Sequence, residues 1–301
     1  MIGLLTHPLA KTFGEEEAVR LLAGGGFDAA DYSMHVHGLS DPLYDQPLGE
    51  VIRRYEALGK LMQSAGLRVC QMHTLYPTYT GRPEADQRLR RATRYGLWAA
   101  KALGCPYAVV HPMMLAQPLS EAVRQATWEM NLDFYSQLIP ILKETGVQLG
   151  IENMFLGLEG RYGPTPVSTG EDMAAYIDRL NDLAGEERFV ACLDTGHAHL
   201  LGLSVAQMAA CLGKRLRLVH LHDNDRTSDQ HTAPFLGTLD WTATLQALSD
   251  AGYDGCLSFE THGFVTAFPP ELMPHAVRLL SAVGRRLEAQ LACLKQQKDE
   301  P

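Results

Sequence analysis

The chain has 301 residues and is 46% hydrophobic, enough to bury a substantial core whether it forms one large domain or two small ones. Its 26 basic and 35 acidic residues give a formal net charge of −9, which argues against a surface built chiefly to neutralise a phosphate backbone. The six cysteines lie far apart with no CxxC pair, and the opening MIGLLTHPLAK has neither a basic n-region nor a long apolar run, so the expectation is a cytoplasmic protein with reduced core thiols and no membrane span.

Short β-type runs alternate with longer segments of helical spacing along the whole chain. Strands are expected at Ile2–Thr6, Phe27–Tyr32, Leu67–His73, Tyr107–His111, Val147–Glu152, Phe189–Asp194, Leu216–Leu221 and Cys256–Glu260. Between the second and third, Val51, Tyr55, Leu58, Leu61 and Met62 recur at helical spacing before Gly66, a C-terminal cap. The GGGF of Gly24–Phe27 precedes a strand and reads as a helix-to-strand turn, not a phosphate cradle. Eight strand–helix units predict an α/β fold with one domain, a (β/α)8 TIM barrel over residues 1–293, followed by a frayed tail over 294–301. A doubly wound sheet would offer fewer strands and a Gly-rich phosphate turn.

In such a barrel the active site is built at the C-terminal ends of the strands. There the third to eighth strands carry His73, His111, Glu152, Asp194, His220 and Glu260. One such residue is an ordinary polar group at a sheet rim; six in succession mark a site. Side chains two apart share a face, so Glu152 goes with Gly150 and Gln148, and Glu260 with Ser258 and Cys256, into the barrel mouth, while Ile151 and Phe259 point out to the helices. Glu152, Asp194, Glu260 and the His220 imidazole make an oxygen-rich set suited to one divalent metal ion, Mn2+, Mg2+ or Co2+, with Zn2+ tolerated. Without a cation, three converging acids would repel and take up protons.

The IENM of Ile151–Met154, LDTGH of Leu193–His197, HLHDND of His220–Asp225, DQHTAPFLGTLDW of Asp229–Trp241 and SFE of Ser258–Glu260 together resemble the xylose-isomerase-like TIM-barrel superfamily. Within it the chain looks most like sugar isomerases and epimerases of the ketose 3-epimerase, hydroxypyruvate isomerase and inosose dehydratase type. The resemblance implies that Glu152, Asp194, His220 and Glu260 hold one metal, with Glu152 and Glu260 also acting as acid and base. It further implies that His73, His111, His197, Arg226 and His231 contact a sugar or polyol substrate, and that the protein forms a homodimer or homotetramer. A metal on a ketose carbonyl and its neighbouring hydroxyl would acidify the intervening C–H and stabilise an enediolate.

Two positions depart from that pattern. A further acidic substrate contact would fall at Leu158, where the acid stands one residue later, at Glu159; and the usual P-G-x-G loop reads Pro234-Phe235-Leu236-Gly237. Two alternatives share the site. One is a sugar or inosose dehydratase. The other resembles endonuclease IV, a trinuclear-zinc abasic-site nuclease in which His73, His111, His197, Asp229 and His231 would become further ligands. Nucleic acid is not the expected partner. The loops HVHGLSDPLYDQP, YPTYTGRPEADQ and FLGLEGRYGPTP are mixed in charge, Tyr76, Tyr79, Phe155 and Tyr162 suit a small-molecule wall, and Arg88, Arg90, Arg91 and Arg94 read as a solvated helix face.

Overall fold

The structure is a computed structural model and describes residues 1–115, 117, 120–158 and 160–299. Ten strands occur among them: β1 (Ile2–Leu5), β2 (Ala29–Ser33), β3 (Arg68–His73), β4 (Tyr107–Val109), β5 (Gln148–Glu152), β6 (Phe155–Leu158), β7 (Arg161–Pro164), β8 (Phe189–Asp194), β9 (Leu216–His220) and β10 (Leu257–Phe259). Eight are parallel, in the order β10-β1-β2-β3-β4-β5-β8-β9. The sheet closes where Leu221 pairs with Phe259: the Leu221 N–H donates to the Ser258 carbonyl (2.8 Å) and the Glu260 N–H to the Leu221 carbonyl (3.1 Å). The expected single-domain (β/α)8 barrel is therefore the fold.

Ile151 and Phe259 join the large apolar shell between the sheet and its helices. Inside the barrel Val109, Val190, Cys192 and Leu218 form one small cluster, and Ala29, Cys70 and Cys256 another. The interior is crowded at Gly150, where an added Cβ would lie 2.6 Å from Leu218 Cδ1. Gly150→Ala is accordingly expected to cost about 1–3 kcal/mol of stability by overpacking, measured by denaturant unfolding; an unchanged midpoint would show that Leu218 yields freely.

The strand ends differ slightly from expectation. Strand β4 stops at Val109, two residues before His111, because the following Pro112 has no N–H for the ladder. A register shift between the pairs Ala30–Val69 and Asp31–Gln71 marks a bulge in β3, and Cys70 packs with the interior cluster although Gln71 also reaches the interior. The helix Glu15–Gly25 ends in left-handed Gly26 (φ 91°), the turn read from GGGF. In the helix Leu48–Ser64 the stripe Val51, Tyr55, Leu58 and Met62 is buried.

The antiparallel hairpin β6–β7 was not expected; Glu159 lies outside the described residues. Residues 294–299, expected as a tail, continue the last helix, Met273–Asp299, and Glu300 and Pro301 are also outside the described residues. Cys70, Cys105, Cys192 and Cys256 are buried free thiols, Cys211 is half-buried and Cys293 is exposed on that last helix. No described helix is long and apolar enough to cross a membrane.

Candidate metal centre

The strand ends bring their acids and imidazoles to one mouth. Glu152, 1% exposed, sets Oε1 3.1 Å from His220 Nδ1 and Oε2 2.9 Å from His111 Nε2. Glu260 arrives with Oε2 3.1 Å from the same His220 nitrogen and 3.7 Å from His73 Nε2. Donor atoms of His73, Glu152, His220 and Glu260 all lie within 4.8 Å of one another.

Asp194 sits at the edge of this group, its Oδ2 4.0 Å from His220 Nδ1. It also caps the helix Thr195–Leu200, Oδ1 accepting from the His197 N–H at 2.6 Å, and lies 2.9 Å from His222 Nε2. With Glu152 and His197 it forms a second group of close donors. Asn153 ties the two strand ends together, its Oδ1 accepting from the Asp194 N–H (2.7 Å) and its Nδ2 donating to the Asp194 carbonyl (2.9 Å).

A third group, His197, His222, Asp229 and His231, continues across the mouth. The loop after β9 that carries its last two members is organised by Asp223, which accepts from the N–H groups of Phe235 (3.1 Å) and Leu239 (3.0 Å) and from Trp241 Nε1 (2.8 Å). These bonds help hold Phe235 at φ 75°, a backbone suited to glycine, so the loop keeps a glycine-type turn without the glycine. His231 closes onto the first group through Nδ1, 2.8 Å from the Glu260 carbonyl.

Arg226 is not brought to this cluster. At φ 68° its side chain turns back to the helix Thr195–Leu200, where Nε donates to the His199 carbonyl at 3.2 Å. Four mouth residues were absent from the expected set. His7 and His35 follow β1 and β2, outside the third to eighth strands that carry the expected donors; His222 and His262 stand two residues beyond His220 and Glu260, on the same alternation continued past the strand ends. Their rings join the same wall, His231 stacking on His222 at 3.9 Å and lying 4.0 Å from His262, with His35 5.7 Å from His73. Phe155 on the hairpin meets His197 edge-on at 4.9 Å, and Tyr76 meets His111 at 5.0 Å.

Burial opposes charge throughout the mouth, yet pairing outweighs it where acids and imidazoles meet. Burial would raise Glu152, but His220 and His111 hold it well below the usual carboxylate range. Burial would lower His73, but Glu260 and Asp31 lift it well above the usual imidazole range, and Asp229 and Glu260 lift the equally buried His231 to about 9. His7 and His262 have too little carboxylate beside them to offset burial, and both fall to about 4. The donor set fits a cation: Glu152 Oε2, Glu260 Oε2 and both ring nitrogens of His73 and His111 are buried without a well-formed hydrogen bond, and a divalent ion supplies the positive charge that protonated imidazoles otherwise provide.

These shifts predict the pH response of protein stripped of divalent cations. Between about 4 and 6.5 the unfolded chain binds more protons at His7 and His262 than the folded one, so stability rises with pH through that window. For His231 the sign reverses: its contribution is complete below 6.5 and is lost as pH climbs through about 9. Thermal midpoints of the stripped protein are expected to peak near neutrality; a curve rising steadily from acid to alkaline pH would contradict this.

The profile described as "xylose isomerase-like TIM barrel" matches residues 19–283. Among curated proteins, an inosose isomerase of Bacillus subtilis is 24% identical over 166 residues, 53% of this chain and 55% of its own. The chain spans about half the length of the curated relatives it matches. Two solved structures share the fold over nearly the whole chain. A D-tagatose 3-epimerase-like protein has a TM-score of 0.73 at 18% identity, covering 99% of this chain and 98% of its own; the IOLI protein with a bound zinc atom has 0.68 at 17%, covering 97% and 98%. With the profile running from the helix before β2 to the last helix, across the strand ends from β2 onward, the chain belongs to the xylose isomerase-like TIM barrel family.

Proposed function

We propose that this chain is a divalent-metal-dependent isomerase or epimerase of a sugar or polyol that moves a proton on the carbon beside a carbonyl. One observation carries the reading: Glu152 and Glu260 come from β5 and β10, three strands apart around the barrel, and both reach His220 Nδ1 at 3.1 Å. Two carboxylates thus face one point from different sides, the arrangement needed to remove a proton from one face of a substrate and return one to the other.

Glu152, Asp194, His220 and Glu260 would hold the cation, with His73 in donor range of three of them. When bound, the cation polarises a substrate carbonyl and stabilises the charge that develops as the proton leaves. His111, His197 and His231, together with His7 and His35, offer hydrogen bonds to hydroxyls, and Tyr76 and Phe155 give the mouth an apolar edge. The likeness to an inosose isomerase and a tagatose epimerase-like protein supports a hydroxyl-rich carbonyl compound as substrate. The test is incubation of metal-loaded protein with ketoses and inososes in heavy water. Solvent deuterium should enter next to the carbonyl; conversion without deuterium would favour a hydride shift and remove the proton-transfer roles.

A second reading, a trinuclear-zinc abasic-site endonuclease, draws on the third donor group, His197, His222, Asp229 and His231. Against it stand the net charge of −9 and the mixed mouth loops. The exposed Arg90, Arg91 and Arg94 lie on the helix Pro83–Leu103, and Arg88 there is paired with Asp45. Cleavage of an abasic duplex that disappears in Glu260→Gln would reverse the ranking.

A further inference from the structure

Beneath the donor groups lies a carboxylate that belongs to none of them. Asp31 on β2 is completely buried inside the barrel. Its Oδ1 stands 3.4 Å from His73 Nδ1 and its Oδ2 3.6 Å from His220 Nε2. The same Oδ2 accepts hydrogen bonds from Ser258 Oγ (2.8 Å) and Gln71 Nε2 (2.9 Å).

The two imidazoles above it are stacked, 4.3 Å between centroids and 21° between planes. Each turns one nitrogen down to Asp31 and the other up to the glutamates. His220 Nδ1 is 3.1 Å from both Glu152 Oε1 and Glu260 Oε2, while His73 Nε2 is 3.8 Å from Glu152 Oε2 and 3.7 Å from Glu260 Oε2. A neutral imidazole offers a lone pair on one nitrogen only if its proton sits on the other. Asp31 places one carboxylate acceptor under both rings, 3.4 Å from His73 Nδ1 and 3.6 Å from His220 Nε2.

We propose that Asp31 is a positioning residue that holds His220 with its proton on Nε2 and His73 with its proton on Nδ1, so that both rings present a lone pair to the cation site. The proposal rests on the reading of that site as a metal centre. Burying a carboxylate in a barrel interior is costly unless it is well paired, and three strands contribute to pairing this one: Ser258 follows from β10, Gln71 from the bulged β3 and His220 from β9. Apolar side chains would fill that layer more stably; the polar network makes sense as support for the rings above it.

The test is titration of cation-free protein with Zn2+ or Co2+ against a competing chelator, for the natural chain, Asp31→Asn and Ser258→Ala. Asp31→Asn is expected to weaken cation binding by roughly 10- to 100-fold, as loss of an outer-shell partner does, and Ser258→Ala to weaken it less in the same direction. In the zinc-loaded natural chain, long-range proton–nitrogen spectra should show the His220 proton on Nε2; in Asp31→Asn that signature should be lost or mixed. Equal affinity in Asp31→Asn and the natural chain, or a His220 proton on Nδ1, would overturn the role of Asp31 while leaving the metal site intact. A natural chain that binds neither ion would overturn the metal site itself. Should Asp31→Asn not fold, Ser258→Ala decides, and unchanged affinity there counts against the proposal.

Discussion

Glu152→Gln and Glu260→Gln should each cut turnover of a confirmed substrate by at least roughly 10²- to 10⁴-fold, the range typical of general acid–base catalysis. Glutamine keeps an oxygen for a cation but cannot accept the proton. The two variants need not behave alike. The glutamate facing the departing proton should, when replaced, abolish deuterium exchange with solvent; loss of its partner should leave exchange without inversion. Either variant turning over at the natural rate would remove that residue from the acid–base pair. Because His111 also contacts Glu152 at 2.9 Å, His111→Ala should shift the pH dependence of the Glu152 step more than that of the Glu260 step.

Removing divalent cations should abolish turnover and lower the thermal midpoint, with both restored by adding the metal back. Binding to the folded chain alone stabilises it by about 2.7 kcal/mol when free metal is 100 times its dissociation constant, so the shift should be plain in a calorimeter. Elemental analysis of protein purified without added metal should show about one equivalent, held by Glu152, Asp194, His220 and Glu260. About three equivalents of zinc would instead mean that further donor groups, among them His197, His222, Asp229 and His231, bind zinc as well, and would strengthen the endonuclease reading. Protein that contains no metal and ignores chelators would sink the central proposal.

Much of this architecture was legible along the chain because its signals are local. Alternation with period two marks a strand wherever it occurs, and the residue at each strand end follows directly; Glu152, Asp194, His220 and Glu260 stand out as strand-end donors on that basis. The missed residues show where that logic stops. His222 and His262 continue an alternation past the last ladder bond, and the β6–β7 hairpin is short and rich in glycine, without the β-branched alternation that announces a strand. The left-handed backbone that turns Arg226 to the His199 carbonyl has no signature in the neighbouring letters.

By itself, then, the sequence determined the barrel, the donor residues at or just past six strand ends and the chemical character of the mouth, since hydrophobic periodicity and side-chain type are properties of short segments. Only the tertiary structure decided which donors share a point. Closure of the sheet sets Glu152 and Glu260 on different sides of His220, the bulge in β3 accompanies Gln71 to Asp31, and the Asp223-centred loop folds His231 back onto Glu260. Those placements depend on contacts between residues far apart in the chain, where strand register and barrel curvature, rather than local preference, set the distance between side chains.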